Sequence, residues 1–200
     1  LGQQLVQQAL DANNEVVVLA RTPAKLEIQH PNLTVQQGDV LNPDDVSRTV
    51  KGADVVLSAL GIRRLGYNTT VSEGTRNIIN AMEQHEVCRL LSVSSVGVAE
   101  SRPQAKTMGF LYHRILIPFV IGQSFEDKAR QEQVIRDSNV QWTIVRPSSM
   151  INDDLTGKYT VTNEKDFGIQ GDISRADVAH FMLNALDNQA LNQRAVTVSY

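Results

Sequence analysis

The sequence predicts an α/β fold built on a doubly wound parallel sheet, and three observations carry that reading. Short apolar runs such as Val16-Val17-Val18-Leu19-Ala20 and Val55-Val56-Leu57 recur along the chain. Runs of this kind are the mark of strands covered on both faces. Segments with helical periodicity separate them, and that alternation implies right-handed βαβ connections in one sheet.

The elements follow in order. Leu5, Val6, Ala9 and Leu10 recur at helical spacing, so residues 2–13 form an amphipathic helix. Residues 15–20 are a buried strand. Thr22-Pro23 supplies an N-cap and a proline at the first helical position, which opens a short helix. Leu33 to Gln36 alternates as a strand, and Asn42-Pro43-Asp44-Asp45 repeats the cap-proline-acid signature for a helix to about Val50. Residues 54–59 are the next strand, and 68–84 a long helix with Val71, Ile78, Ile79 and Met82 inward. A strand at 88–93 ends in Ser94-Ser95, and a helix spans 124–138. The strand Gln141 to Val145 stops at Arg146-Pro147, and a short strand runs from Gly157 to Thr162. Ser174-Arg175-Ala176-Asp177 has the spacing of a capping box and starts a helix to about Leu186, followed by a last strand from Ala195 to Ser199.

The 200 residues fit one domain, 1–200, with a small C-terminal elaboration after about Pro147. In a Rossmann-like sheet of this kind, a first strand and a glycine-rich turn precede the helix that here opens at Leu1-Gly2. Both are expected ahead of Leu1 and are missing from this N-terminus. The first strand is expected between residues 15–20 and 54–59, which should leave those two about 10 Å apart and unpaired.

A net charge of −3 provides no basic face for a nucleic-acid backbone. The single cysteine, Cys88, excludes an internal disulfide framework and suits a reducing compartment. Its place at the entrance of a strand reads as a small buried hydrophobe. The first residues are polar and amphipathic, unlike a signal peptide. The apolar stretch from Phe110 to Gly122 is interrupted by Tyr112, His113 and Arg114 and is too short to span a bilayer. A cytoplasmic protein is expected.

In open α/β sheets, ligands bind beyond the carboxyl ends of the strands. Those ends carry Arg21, Gly38-Asp39-Val40, Ala59-Leu60-Gly61 and Ser94-Ser95. Arg21 stands where a dinucleotide fold chooses its cofactor. A carboxylate there would take a ribose hydroxyl, whereas a guanidinium fork matches the 2′-phosphate of NADP. Thr22 and Lys25 add a hydroxyl and a second positive charge. The other reading of Arg21 is a solvated side chain at a strand end. Asp39 either takes the adenine amino group, with Val40 beside it, or bonds its own turn. Gly61 either lets the backbone approach the cofactor, together with Ala59 and Leu60, or simply makes a turn. Gly2 reads as the last glycine of a phosphate loop, with the helix N-terminus offering N–H groups to a pyrophosphate. His30, His85 and His180 are scattered without ligand spacing, so no metal site is expected.

Taken together, the chain resembles the short-chain dehydrogenase/reductase superfamily, and within it the atypical branch that includes NmrA-like proteins and the biliverdin reductase B (flavin reductase) group. The resemblance rests on Val18-Leu19-Ala20-Arg21, Gly38-Asp39-Val40, Trp142-Thr143-Ile144-Val145-Arg146-Pro147, Thr156-Gly157-Lys158-Tyr159 and Ile173-Ser174-Arg175-Ala176-Asp177-Val178-Ala179. It implies NADP(H) as cofactor, ahead of NAD(H). It also implies a catalytic Tyr-x-x-x-Lys pair, and here the chain departs from the pattern. Lys128, which would also bind the nicotinamide ribose, stands at the lysine position, but Ser124 occupies the tyrosine position. Tyr112 is followed four residues later by Leu116, so it does not form the motif. Ser94 ends the strand where the family places a substrate-orienting serine, a position that a turn-capping serine also suits. Ser94, Lys128 and Tyr112 are the catalytic candidates.

Two functions fit. One is an NADPH-dependent reductase of a planar conjugated small molecule, flavin or quinone, whose proton comes from solvent. Phe110, Leu111, Tyr112, Ile115 and Phe119 would wall its site, unless that segment packs on the core or on another subunit. The other is a non-catalytic NADP sensor of NmrA type acting through a protein partner. Neither involves nucleic acid or membrane.

Overall fold

The computed structural model describes residues 1–61, 69–98, 122–163 and 171–200, with the side chains of 122–124 left aside. Helix α1 (Gly2–Asp11) leads to β1 (Val16–Ala20), a 3-10 turn (Pro23–Lys25), β2 (Leu33–Gln37) and α2 (Pro43–Val50). Then come β3 (Val55–Ser58), α3 (Thr70–Gln84), β4 (Arg89–Val93), α4 (Gly122–Arg136) and β5 (Gln141–Pro147). The last part holds β6 (Met150–Ile151), β7 (Thr160–Asn163), β8 (Ile173–Ser174), α5 (Arg175–Asn184) and β9 (Arg194–Ser199).

Neighbouring residues of one strand separate the two layers of core. Leu90, Trp142 and Ile144 pack with Val46 and Val50 of α2, Ile78, Ile79 and Met82 of α3, and Ile135 of α4. Leu91, Val145 and Val196 point the other way, onto Leu5 of α1 and Val178, Phe181 and Met182 of α5. Helices therefore cover both faces, and the apolar runs of the strands are the consequence.

The sheet is parallel from β3 through β4 and β5 to β9, and β7 closes it antiparallel on β9. Strands β1 and β2 pair in parallel as a separate ladder. Among the described residues β1 and β3 are not hydrogen-bonded to each other, as the expected strand order requires. Val17 in the middle of β1 is 46% exposed despite its apolar neighbours. Helix α3 ties both ladders to one edge: Gly74 lies against Val40 after β2 and Leu60 after β3, and Asn77 Nδ2 donates to the Val40 carbonyl at 2.9 Å. No helix among the described residues is long and apolar enough to cross a membrane.

Four local expectations need correction. Cys88 is exposed, because Val87 takes the buried place before the strand and β4 begins only at Arg89. Thr22 makes no side-chain cap bond, and the turn after it is a single 3-10 turn. Strand β5 does not stop at Arg146 but runs through Pro147, which pairs with Val198 of β9. Proline has no N–H to leave unpaired, and its carbonyl accepts from Val96 N at 3.5 Å. The capping box is also incomplete. Ser174 Oγ accepts from Asp177 N at 2.9 Å, but the Ser174 N–H goes to Tyr200 Oη at 3.2 Å instead of returning to Asp177.

Asp177 is a hub instead. Its carboxylate accepts from Thr156 N (3.1 Å), Gly157 N (2.7 Å), Thr156 Oγ1 (2.9 Å), Ser174 Oγ (2.9 Å) and Tyr200 Oη (2.6 Å). Burial opposes its ionisation, but the bonds from Tyr200, Gly157, Ser174 and Thr156 outweigh that cost and hold the carboxyl below its ordinary value. The segments 156–159 and 173–179 are thus one unit clamped by one carboxylate. Because the folded-state value is depressed, this contribution to stability is complete above the ordinary carboxylate range, about pH 4, and fades as the pH falls through the lower folded value. Tyr200→Phe should cost about 1.5–3 kcal/mol in urea unfolding at neutral pH. Asp177→Asn should flatten the acid limb of stability against pH, and an unchanged acid limb would show that the hub does not titrate with folding.

Candidate functional site

The turn after β2 is built on Gly38. A Cβ there would lie 2.7 Å from Asp45 Cγ and 2.8 Å from Asp45 Cβ, so only glycine fits. Asp45 in turn accepts from Asp39 N at 3.0 Å and pairs with Arg48 at 2.7 Å. The Asp39 carboxylate accepts from Leu41 N at 3.0 Å, which is the local-turn reading of that residue. Its second oxygen is uncommitted in these bonds. Val40 and Leu60 meet over Gly74 and are half-buried, while Ala59 and Gly61 are exposed.

Arg21, Thr22 and Lys25 are exposed beyond β1, and Arg21 has no ion-pair partner among the described residues. Gln3 Nε2 donates to the Lys25 carbonyl at 3.1 Å, which holds the cationic turn beside the first turn of α1. That helix begins at Gly2, and no side chain caps it. A Cβ at Gly2 or at Gly61 would meet nothing within 4 Å among the described residues, so their packing does not dictate either glycine.

The structure brings Ser94 and Lys128 together. Lys128 Nζ donates to the Ser94 carbonyl at 3.0 Å, and the buried Ser94 Oγ has no partner among the described residues. The same holds for the buried hydroxyl of Ser58, at the end of neighbouring β3. Burial pushes Lys128 down to about 8, against the pull of Glu132 and then Asp127. Tyr112, His113 and the segment from Phe110 to Phe119 lie outside the described residues, as does the Ser124 side chain.

Sequence reasoning missed what holds α4 in place. Asp127 is fully buried and accepts from Val71 N (3.0 Å), Ser72 N (3.3 Å) and Ser72 Oγ (2.5 Å), capping α3 from another helix. Gln131 Nε2 donates to Ser92 Oγ at 3.0 Å. Glu132 takes both Nε (3.0 Å) and Nη2 (2.5 Å) of Arg146, each side chain 1% exposed. A run of polar residues in α4, with few apolar positions to face a core, was the available signal.

Parallel strands that end at one edge, helices on both faces and an uncapped helix N-terminus beside a cationic turn define a Rossmann-type dinucleotide-binding protein. The chain belongs to the NAD(P)H-binding family, whose model matches residues 1–189. It is 28% identical over 208 residues to an uncharacterised chloroplastic protein of Arabidopsis thaliana, covering 98% of this chain and 72% of that one. It is 29% identical over 151 residues to a 3-beta-hydroxysteroid dehydrogenase of Mycolicibacterium neoaurum, covering 63% of this chain and 41% of that enzyme. Its fold is similar to that of ChuY, an anaerobilin reductase from Escherichia coli O157:H7, with a TM-score of 0.79 at 21% identity over 99% of this chain and 90% of that one. It is equally similar to a short-chain dehydrogenase/reductase from Veillonella parvula in complex with NADP, with a TM-score of 0.79 at 20% identity over 99% and 88% of the two chains.

The close approach of α3 gives a stability test. A Cβ on Gly74 would lie 2.8 and 2.9 Å from the two methyls of Val40. Overpacking costs about 1–3 kcal/mol, against a helix-propensity gain of about 0.8–1 kcal/mol for alanine. Gly74→Ala should therefore destabilise by about 1 kcal/mol, and on a Val40→Ala background the same change should become stabilising. Thermal unfolding of the two pairs checks the sign change.

Proposed function

We propose that the chain is an NADP(H)-dependent reductase of the cytoplasm that passes a hydride to a planar conjugated acceptor of flavin or quinone type. The observation that carries this is the pairing of Lys128 with Ser94 beside a position, Ser124, where tyrosine is replaced. A serine hydroxyl is a poor proton donor at neutral pH. A conjugated ring can accept a hydride and take its proton from solvent.

NADPH supplies the hydride when bound. The residues fit such a group in five places. Arg21, with Thr22 and Lys25, faces the 2′-phosphate and sets the preference for NADP(H) over NAD(H). The open N-terminus of α1 at Gly2 receives the pyrophosphate. Asp39 and Val40 border the adenine, and the backbone at Ala59, Leu60 and Gly61 comes close to the cofactor. Lys128 donates to the nicotinamide ribose, and the unpartnered Ser94 hydroxyl orients the acceptor. The reductase similar in fold agrees with this reading.

Turnover separates it from an NmrA-type sensor that binds NADP and works through a protein partner. Purified protein should oxidise NADPH in the presence of a panel of quinones and flavins. Tight binding with no oxidation across the panel would transfer the assignment to the sensor. Arg21→Ala should weaken NADPH binding by about 1.5–3 kcal/mol, tenfold or more, and leave NADH binding unchanged. Equal affinity of the parent chain for both cofactors would remove Arg21 from its role.

A further inference from the structure

We infer that the buried Glu132–Arg146 pair is a positioning device for Lys128, fixing the helix turn that presents its ammonium and balancing the charge around it. This rests on the reading of Lys128 as a cofactor contact. Glu132 follows Lys128 by four residues on α4, so the two share one face of the helix. The carboxylate is 1% exposed, and an unpaired carboxylate at that depth would draw the ammonium to itself. Instead Arg146, from β5, holds both oxygens in a fork, at 3.0 and 2.5 Å. Lys128 is left to donate to the Ser94 carbonyl at 3.0 Å.

The other groups around the ammonium do not take over this task. On its own helix Asp127 is committed to the N–H groups of Val71 and Ser72 and to Ser72 Oγ, and lies 3.6 Å from Arg130. From α3, Glu73 and Arg76 line the outer groove with Arg130, and Ser72 and Thr75 present hydroxyls. From β4 come the hydroxyls of Ser92 and Ser94. Among the described residues, then, Glu132 is the carboxylate one turn from Lys128, and Arg146 is the cation that neutralises it. Burial lowers Lys128, and Glu132, ahead of Asp127, pulls it back up.

The test is the pH dependence of NADPH binding, read beside a direct titration of Lys128 in protein carrying 13C-labelled lysine. In the parent chain, affinity should fall as the pH rises through about 8. In Glu132→Gln, loss of the carboxylate that pulls Lys128 up should move the midpoint down by about one pH unit. In Arg146→Met, Glu132 without its fork should move it up. The double variant E132Q/R146M should fall between the two single variants. Loosened packing alone would move all three variants the same way, or none, and either result overturns the inference. If Arg146→Met does not fold, Glu132→Gln and the double variant still decide it by their difference. Lys128→Met tests the underlying reading separately. If it leaves NADPH affinity unchanged, the cofactor role of Lys128 fails. If it weakens binding while the charge variants leave the midpoint in place, the positioning role alone fails.

Discussion

The Asp127 carboxylate is the contact on which the geometry of the strand ends depends. A helix N-terminus carries N–H groups that its own backbone cannot satisfy. At α3 two of them are satisfied by a side chain from α4, 55 and 56 residues along the chain. This fixes the relative height of two helices that lie on one side of the sheet. With that height set, Gln131 reaches Ser92, Glu132 reaches Arg146 and Lys128 reaches the Ser94 carbonyl. The same helix α3 presses Gly74 against Val40 and Leu60, so the loops after β2 and β3 inherit their positions from it.

The sheet changes character along its length. On the side covered by α3 and α4, the amino halves of the strands present Val56, Leu90, Trp142 and Ile144 to an apolar cluster. Two residues further along, the same alternation presents Ser58, Ser92 and Arg146. Buried polar atoms are expected to be paired, at about 1–3 kcal/mol for each that is not. Among the described residues Ser58 Oγ, Ser94 Oγ, Ser148 Oγ, Thr75 Oγ1 and Gln131 Oε1 are buried without partners, and so are Trp142 Nε1 in the apolar half and Thr162 Oγ1 of β7. Ser58, Ser94 and Ser148 stand at the carboxyl ends of β3, β4 and β5, so polar groups without partners gather at that edge without being confined to it.

Much of this was legible in the sequence, for reasons tied to particular residues. The helical spacing of Val71, Ile78, Ile79 and Met82 and the unbroken apolar runs of β1 and β3 report local periodicity, so the elements and their order follow directly. The Asn42 cap is local too, and its side chain does accept from Asp44 N at 3.0 Å. Asp127, Glu132 and Arg146 were not legible, because their partners are set by tertiary packing and their residue types suit a solvated surface equally well. The segments Thr156 to Tyr159 and Ile173 to Ala179 could be read as family marks, but not as a single clamp on Asp177. Cys88 misled because a strand entrance fixes neither where pairing begins nor which side chain turns inward. Lys128 and Ser94 were identifiable as candidates from their spacing and strand end, while their contact with each other needed the fold.

Among the described residues, strands β1 and β2 form a ladder of their own. The run Val16 to Ala20 carries neither the charge nor the proline with which natural sheets blunt an exposed edge. It has the character of an inner strand, so a charged side chain placed within it would burden the sheet rather than help to keep the protein in solution.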